Sequence, residues 1–327
     1  MLRRRTLLAA PLAAAALPGS AAIAQGTTWP DRPLRIIVGY PPGGSLDVLT
    51  RVLAEGLAQR LGQPVVVENR PGAGGNIGAD AVAKAAPDGY TIACAAVGIW
   101  VINQFLYARM PFDAERDLLP VSMTWEFPNV AVVPAEHVPA KTVAEFVAWA
   151  KGRRGGISYG SPGVGTTPHL SAALFLERTG VKGEHIPFRG AAQTIPAMLS
   201  GDVQFAIDNL ASYVPVIQEG RMRALAVTSA ERWPTLPEVP TMQEAGLKDF
   251  AVTSWTNFAV PAATPRPIVE RLSTEIRRVT AEPAVRERAL GMGAKLLGST
   301  PEEAQAFIRA ELPKWREMVR ISGARME

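Results

Sequence analysis

The chain has 327 residues, enough for about two hydrophobic cores at the usual ~100–200 residues per domain. Apolar residues make up 47 % and charged residues 20 %, which excludes a disordered chain; three histidines and one cysteine, Cys94, exclude a disulfide framework or a cysteine-rich zinc module. Setting Arg3, Arg4 and Arg5 aside with the N-terminal segment lowers the 34 basic residues to 31, against 30 acidic ones, and a nearly neutral body does not suggest a nucleic-acid binder.

Residues 1–24 open on those three arginines, run through an alanine-rich apolar stretch from Leu7 to Pro18, and end on Ala22-Ile23-Ala24. That is a charged start, a short apolar middle and a small-residue cleavage site. The apolar stretch is shorter than the ~20 residues a bilayer needs, and Pro11 and Pro18 interrupt it. The segment reads as an export signal, by the general route or, through Arg4-Arg5-Thr6-Leu7-Leu8, the twin-arginine route. The mature chain is expected to begin at Gln25 and to be exported. No cysteine at the cleavage point offers a lipid anchor, and no later run is long enough to span a membrane. Cytosolic cofactors such as NAD or ATP are disfavoured by export, and no cofactor or metal is expected.

In the mature chain, Leu34 to Val38 is an apolar run ending at Gly39, the pattern of a buried strand. After the loop Pro41-Pro42-Gly43-Gly44-Ser45, leucines at 46, 49, 53, 57 and 61 mark one face of a helix, with Ser45 as its expected N-cap. Pro64 to Glu68 is the next strand. The loop Arg70-Pro71-Gly72-Ala73-Gly74-Gly75-Asn76 follows, then a helix over 77–86, a turn at Pro87-Asp88-Gly89 and a third strand over 91–96. A second block repeats the pattern. A strand over 130–133 leads to a capping box at Thr142 and Glu145, opening a helix through Lys151. A strand over 157–160, the loop Ser161 to Pro168 and a helix over 169–179 come next. Strands are expected over 185–188, 203–207, 224–228 and 254–260, with a proline-punctuated loop over 233–240. A helix is marked by Ile268, Leu272, Ile276 and Val279, and a last one opens at Thr300-Pro301-Glu302-Glu303, where Pro313 is expected to kink or split it. Strand, glycine loop and helix in alternation are the grammar of a parallel α/β sheet.

Three loops, at 41–45, 71–76 and 161–167, share one design: each follows a strand, is rich in Gly, Ser or Thr, and opens a helix. A fourth, from Arg189-Gly190, is a weaker version. A helix start carries unpaired N–H groups and about half a positive charge, and glycine lets an anion approach them. Such loops gather at the carboxyl ends of strands, where hydroxyls of Ser45, Ser161, Thr166 and Thr167 could add donors to a carboxylate. Asp47, Arg189 and Asp208 are the charges beside them. Asp47 could order the first loop or cap its helix, and Asp208 could meet an ammonium group or water, or cap the segment 210–217. Competing motifs fail. Residues 72–78 place Ile77 where G-x-G-x-x-G needs glycine, no G-x-x-x-x-G-K-[ST] occurs, and Tyr159-Gly160-Ser161-Pro162-Gly163 lacks the first glycine of G-x-S-x-G. His169 could serve Ser161 as a base, or be an imidazole held near a helix start. His137 and His185 have no metal-ligand spacing, Cys94 reads as core, and Trp255 and Phe258 read as core or as walls of a cleft.

Pro41-Pro42-Gly43-Gly44-Ser45-Leu46-Asp47 resembles the P-x-G-G-x-x-D loop of the Bug-type (TctC-like) receptors, the extracytoplasmic solute receptors of tripartite tricarboxylate transporters. Residues 62–78, Gly62-Gln63-Pro64 through Asn76-Ile77-Gly78, are similar to a specific signature of that family, as are 87–91, 225–229 and 237–241. The resemblance implies a periplasmic-binding-protein-like type II fold: α/β, two domains, with a ligand cleft between them that closes. A discontinuous first domain would comprise 25–125 plus 253–327 and the second 126–252, the chain crossing near 125 and 252. Carried over by motif, the ligand contacts would be Gly43, Gly44, Ser45 and Asp47 with Asn76 nearby, then Ser161, Gly165, Thr166, Thr167 and Asp208 with His169 close. The family commonly has Gly-Ser after the third strand. Here Ala95-Ala96-Val97-Gly98 leaves Ala96 without a donor and brings in a bulky Trp100, which favours a less polar acid over a dicarboxylate. The implied function is capture of a small organic carboxylate, without catalysis, by a monomer that delivers it to integral-membrane transporter subunits. The rivals are a ligand sensor for a membrane kinase and an exported hydrolase using Ser161 and His169.

Overall fold

The computed structural model describes residues 29–327, so the export signal expected over 1–24 lies outside the described residues. The elements in chain order are β1 (Leu34–Val38), α1 (Ser45–Leu61), β2 (Val65–Asn69), α2 (Asn76–Ala83) and β3 (Thr91–Ala96), then a π turn (Gly98–Ile102) with α3 (Asn103–Leu106), α4 (Ala114–Asp117) and β4 (Leu118–Pro134). They continue with α5 (Val143–Lys151), β5 (Ile157–Ser161), α6 (Thr167–Thr179), β6 (Gly183–Pro187), α7 (Ala191–Leu199), β7 (Phe205–Asn209), α8 (Leu210–Gln218) and β8 (Met222–Val227). The chain ends with β9 (Thr253–Pro261), α9 (Arg266–Ala281), α10 (Pro283–Gly291), β10 (Lys295–Leu296) and α11 (Pro301–Ser322).

The strands form one mixed sheet in the order β2-β1-β3-β9-β4-β7-β5-β6, with β8 and β10 also on β4. Two parallel trios, β2-β1-β3 and β6-β5-β7, are joined through antiparallel β9 and β4. β4 is the shared member. Leu118 to Pro128 pair with β9, whereas Asn129 to Val132 pair with β7 and Val130 to Pro134 with β8. The return crossing is stitched at the same place. Val252 N–H donates to Thr228 O at 2.8 Å, and Thr228 N–H donates to Asn129 O at 2.9 Å.

Side chains alternate along each strand, so the sheet has a core on both faces. On β1, Leu34, Ile36 and Val38 join the cluster that holds Ile92, Cys94, Val130 and Val132. Ile37 joins the other, with Ala93, Ala95, Ala131, Val133 and Trp255. Trp255 and Phe258 are therefore core residues, and burial pushes the Cys94 thiol up to about 12. On α1 the leucine stripe is the inner face, with Leu49, Leu53, Leu57 and Leu61 buried, each contributing about 1.5–3 kcal/mol of transfer free energy. Gly62, at φ +68°, ends this helix by giving its N–H to Ala58 O.

Three local expectations are corrected. Ser45 does not cap α1: Gly44 holds the N-cap position with no side chain to offer, and Ser45 is the first helical residue. The chain turns one residue earlier than expected, at Gly43 (φ +78°), because Asp47 Oδ2 accepts the Gly43 N–H at 2.9 Å. Pro313 does not split the last helix, which runs from Pro301 to Ser322. The bond lost at the proline is outweighed by anchors on both sides, with Ala304 and Ile308 buried before it and Trp315, Met318 and Val319 after it. The capping box at Thr300 and Glu303 forms, with bonds of 3.2 and 2.8 Å. At Thr142 only half forms: Thr142 Oγ1 accepts from Glu145 N–H, while the Glu145 carboxylate reaches one residue further back, to Lys141 N–H at 2.7 Å.

Candidate functional site

The first loop is organised by one carboxylate. Asp47, 4 % exposed, accepts from Gly43 N–H, from Asn69 Nδ2 at 3.0 Å and from Arg51 at 2.9 Å. Burial works against its charge, yet the Arg51 guanidinium, the Gly43 N–H and the Asn69 amide hold its carboxyl below the usual carboxylate range. Asp47 therefore shapes the loop, and the Gly43 N–H is spent on it. The N–H groups of Gly44, Ser45 and Leu46 donate to no other described group, and no side chain caps α1. Ser45 Oγ leaves this loop altogether and meets Ser212 Oγ, on α8, at 2.6 Å.

The second loop packs on its neighbours so closely that glycine is required. A Cβ on Gly39 would lie 2.7 Å from Gly75 O, and one on Gly78 would lie 2.8 Å from the Gly39 Cα. Asn76 is buried and satisfied, its Oδ1 accepting from Asn103 Nδ2 at 2.6 Å and its Nδ2 donating to Met110 Sδ at 3.4 Å. Tyr40 O–H and Asn103 Nδ2 both donate to Gly74 O, at 3.1 and 3.2 Å. Burial holds the Tyr40 phenol far above its ordinary range, so it stays a donor. Ala96, at the end of β3, stands opposite Thr256, whose hydroxyl is shared with Thr124 at 2.9 Å.

In the third loop, Thr166 is the N-cap of α6, accepting from His169 N–H, and its own hydroxyl donates to Gly163 O at 2.7 Å. Gly165 N–H donates to His169 Nδ1 at 3.2 Å, so His169 is an imidazole holding a helix start. It is not bonded to Ser161. The partner of Ser161 Oγ is His185 Nε2, at 2.7 Å, and Ser161 Oγ also bonds Gly163 O at 3.1 Å. The rings of His169 and His185 stack with centroids 4.0 Å apart. Burial, and for His169 the neighbouring His185, pushes these imidazoles down to about 3 and about 4, so both are neutral near pH 7. Ser161 itself is wholly buried, which is poor placement for a nucleophile.

At the end of β7, Asp208 Oδ1 accepts from Asn209 N–H at 2.7 Å and Oδ2 from Tyr213 O–H at 3.1 Å. Burial pushes Asp208 up to about 7, against the opposite pull of those two donors. The N-cap of α8 is Asn209, without a side-chain cap, and Gly190 leaves α7 similarly uncapped. Arg189 is exposed. A polar hub joins the strand ends: Ser254 Oγ bonds Thr167 Oγ1, Asn209 Oδ1 at 3.0 Å and Asn129 Oδ1 at 3.2 Å, and Asn129 Nδ2 donates to Ser171 Oγ at 3.0 Å.

These contacts close into a ring. Ser45 touches Ser212, which lies on the helix that follows Asp208-Asn209; Asn209 reaches Ser254 and through it Thr167. Gly165 packs on Leu106, so closely that a Cβ at 165 would lie 2.0 Å from Leu106 Cδ2, and Leu106 shares α3 with Asn103, the partner of Asn76. The first, second and third loops and the end of β7 are thus brought together, and Arg189 is not. Leu106, Asn103, His185, Ser212 and Ser254 were not among the candidates from sequence. A serine starting a late strand or an asparagine after a π turn carries no local signal. Among the described residues no group of His, Cys, Asp and Glu is arranged to hold a metal ion.

The chain is matched over residues 49–323 by the family model described as the tripartite tricarboxylate transporter family receptor. It is similar to the Rhodopseudomonas palustris protein Rpa4515 solved with adipate (34 % identity, TM-score 0.87), covering 91 % of this chain and all of that one. It is also similar to the periplasmic binding protein BugD (32 %, 0.85, covering 91 % of this chain and all of that one). A third is MatC from Rhodopseudomonas palustris, solved with bound malate (30 %, 0.82, covering 89 % and all). The family resemblance seen in residues 41–47 and 62–78, and the α/β solute-receptor fold it implied, are borne out.

Proposed function

Because the chain belongs to the tripartite tricarboxylate transporter receptor family, we propose that it captures a small organic carboxylate in the periplasm and delivers it to integral-membrane transporter subunits. The observation that carries this reading is the ring of loops. Helix starts at α1, α2 and α8 are all without side-chain caps, and residues on or beside them are tied to one another from both ends of the sheet. Uncapped helix starts offer N–H donors and a positive end to an anion. Hydrogen bonds to a charged group contribute about 1.5–3 kcal/mol each, so about five or six suffice for micromolar binding after an association cost of roughly 4 kcal/mol.

In this reading Gly44 and Ser45 present donors from one side and the 208–212 segment from the other. Gly43, Asp47, Asn76, Gly165, Thr166 and His169 shape the loops, their polar groups being engaged within them. Thr167 and Ser161 hold the third loop to the hub and to His185. The lobes 25–125 plus 253–327 and 126–252 move as bodies, pivoting where β4 changes partners between Pro128 and Asn129, with Asn129, Thr228 and Ser254 as the pivot's polar stitching. The protein acts as a monomer, is exported by the 1–24 signal, and performs no catalysis, Ser161 being wholly buried and its His185 partner, pushed down to about 4, too weak a base to take its proton. Adipate and malate in the similar structures support a carboxylate of this size. Ala96 favours the less polar end of that class.

A thermal-shift panel of benzoate, adipate, malate and citrate tests the reading. At least one carboxylate raises the melting temperature by several degrees, and monocarboxylic or longer-chain acids exceed malate and citrate. A panel in which no acid acts contradicts the function. One in which only malate or citrate acts contradicts the inference from Ala96.

A further inference from the structure

A cluster of cations lies on the segment 126–252, away from the ring of loops. Lys151 closes α5, Arg153 and Arg154 lie on the turn that follows, and Lys182 stands between α6 and β6; all four are exposed. The two connections are in contact. Ile157 N–H donates to Lys182 O at 3.0 Å, Gly156 N–H donates to Arg153 O at 3.2 Å, and Lys151 Nζ lies 3.9 Å from where a Cβ on Gly180 would stand. Arg178, in the last turn of α6, flanks them. Both connections precede the parallel strands β5 and β6, whereas the ligand loops follow the carboxyl ends of strands. The cations and the ring of loops are thus at opposite ends of the same strands.

This charge is not spent inside the molecule. From Phe146 to Gly183 there are five cations and one acid, Glu177, which faces Arg320 on α11. The ion pairs within 126–252, Arg221–Glu219 and Arg232–Glu244, lie elsewhere, and none of the five is paired with a carboxylate among the described residues. The C-terminal ends of α5 and α6 bring about half a negative charge each and Glu184 on β6 one more, so an excess of about three positive charges remains.

The surface suits a diffuse negative layer better than a shaped partner. Among the described residues the large exposed apolar side chains are Val48, Val66, Ile77, Leu290 and Phe307, none of them in this segment, so it holds no anchor for a specific protein interface. It does hold Trp149, half-buried, with the Arg153 guanidinium 4.7 Å from the centre of its ring. An indole among cations is the combination that meets the headgroup layer of an anionic bilayer.

We infer that this end of the molecule docks reversibly on an anionic phospholipid bilayer, with Lys151, Arg153, Arg154 and Lys182 among the headgroup phosphates and Trp149 beside them. The body of the protein is nearly neutral, so the attraction comes from where the charge stands and not from its total. The ring of loops faces away from the lipid and stays open to solvent. This goes beyond the carboxylate reading and does not depend on it.

Sedimentation with vesicles tests it, using the exported chain that starts at Gln25 and keeps every described residue. Pelleting is expected with phosphatidylglycerol vesicles and not with phosphatidylcholine vesicles, and it reverses in about 0.5 M salt. Each cation replaced by glutamine weakens the partition about fivefold. The variant Lys151→Gln/Arg153→Gln/Arg154→Gln/Lys182→Gln therefore falls to the phosphatidylcholine level. The variant Lys84→Gln/Arg277→Gln/Lys295→Gln/Arg325→Gln loses the same charge from outside this segment and pellets as the wild type does. No pelleting beyond the phosphatidylcholine level, or equal losses in the two fourfold variants, overturns the proposal. Should the first variant fail to fold, Lys151→Gln/Lys182→Gln and Arg153→Gln/Arg154→Gln are compared, and a partition that neither lowers overturns it as well. No carboxylate ligand enters this measurement, so its failure leaves the carboxylate panel untouched, and the reverse holds too.

Discussion

Titratable side chains at the strand ends respond to pH in opposite directions. Asp208 is pushed up to about 7 by burial, whereas an aspartate in the unfolded chain titrates near 3.9. Between those values the folded chain keeps a proton that the unfolded chain has lost. The stability this group contributes is therefore full below about pH 4 and is lost as pH rises through about 7. His169 and His185, held down to about 3 and about 4, behave the other way: their contribution is present above about pH 6.5 and is lost as pH falls toward 4 and below. Asp208→Asn removes the first effect and keeps the shape, since the Tyr213 hydroxyl can turn to accept from the new amide. The variant is expected to gain on the wild type as pH rises from 4 to 7.5, by about 1 kcal/mol or more, read from melting temperatures across that range. A difference that stays constant over the range contradicts the buried, protonated carboxyl. The sequence placed Asp208 at a strand end beside the loops, but nothing in its neighbours signalled burial. That comes from β4 lying alongside β7 and from Tyr213 one helical turn on.

At the scale of elements, the contact that ties the third loop to α3 depends on a missing side chain. Gly165 has φ +75°, and any Cβ there would drive into Leu106. Gly165→Ala therefore meets both backbone strain and a clash. We expect it to lower stability by about 1 kcal/mol or more and to weaken binding of the most stabilising carboxylate at least tenfold. The double variant Gly165→Ala/Leu106→Ala should recover part of the affinity, because only the strain then remains. Titration of both variants checks this, and an affinity that the clash leaves unaltered contradicts the role of the contact. Elements with a period were legible in the sequence: the leucine stripe gave α1, and the Thr300 box gave the start of α11. β4 was only partly legible. Its 17 residues are nearly all buried and so show no alternation, and Pro120 and Pro128 look like strand ends. Both prolines are accommodated beside β9, with register shifts between Pro120 and Ser122 and between Met123 and Trp125. The loops themselves were legible as glycine-rich helix starts. The internal fate of their N–H groups was not, because Asp47, His169 and Asn103 act through three-dimensional neighbours.

For the whole molecule, the two lobes proposed above meet at the Ser45–Ser212 bond, the Leu106–Gly165 packing and the Ser254 hub, and again where Trp233 Nε1–H and the Thr235 hydroxyl donate to Gly293 O and Leu290 O at 2.9 and 2.8 Å. Neutral hydrogen bonds of this kind contribute about 0.5–1.5 kcal/mol each, less than the 1.5–3 kcal/mol of bonds to a carboxylate. A bound acid that touches both sides can therefore decide the balance between open and closed arrangements. The crossing near residue 128 makes such motion possible without breaking the sheet, since β4 is continuous through it. The central claim is that backbone N–H groups at the helix starts of both lobes hold the acid. Backbone amide NMR of the ¹⁵N-labelled protein, titrated with the most stabilising carboxylate, tests it most directly. The account predicts the largest shifts, with slowed hydrogen exchange, at Gly44, Ser45 and Leu46 on one side and at Leu210 and Ala211 on the other. Shifts confined to one of these groups, or clustered instead around exposed arginines such as Arg189, would contradict it.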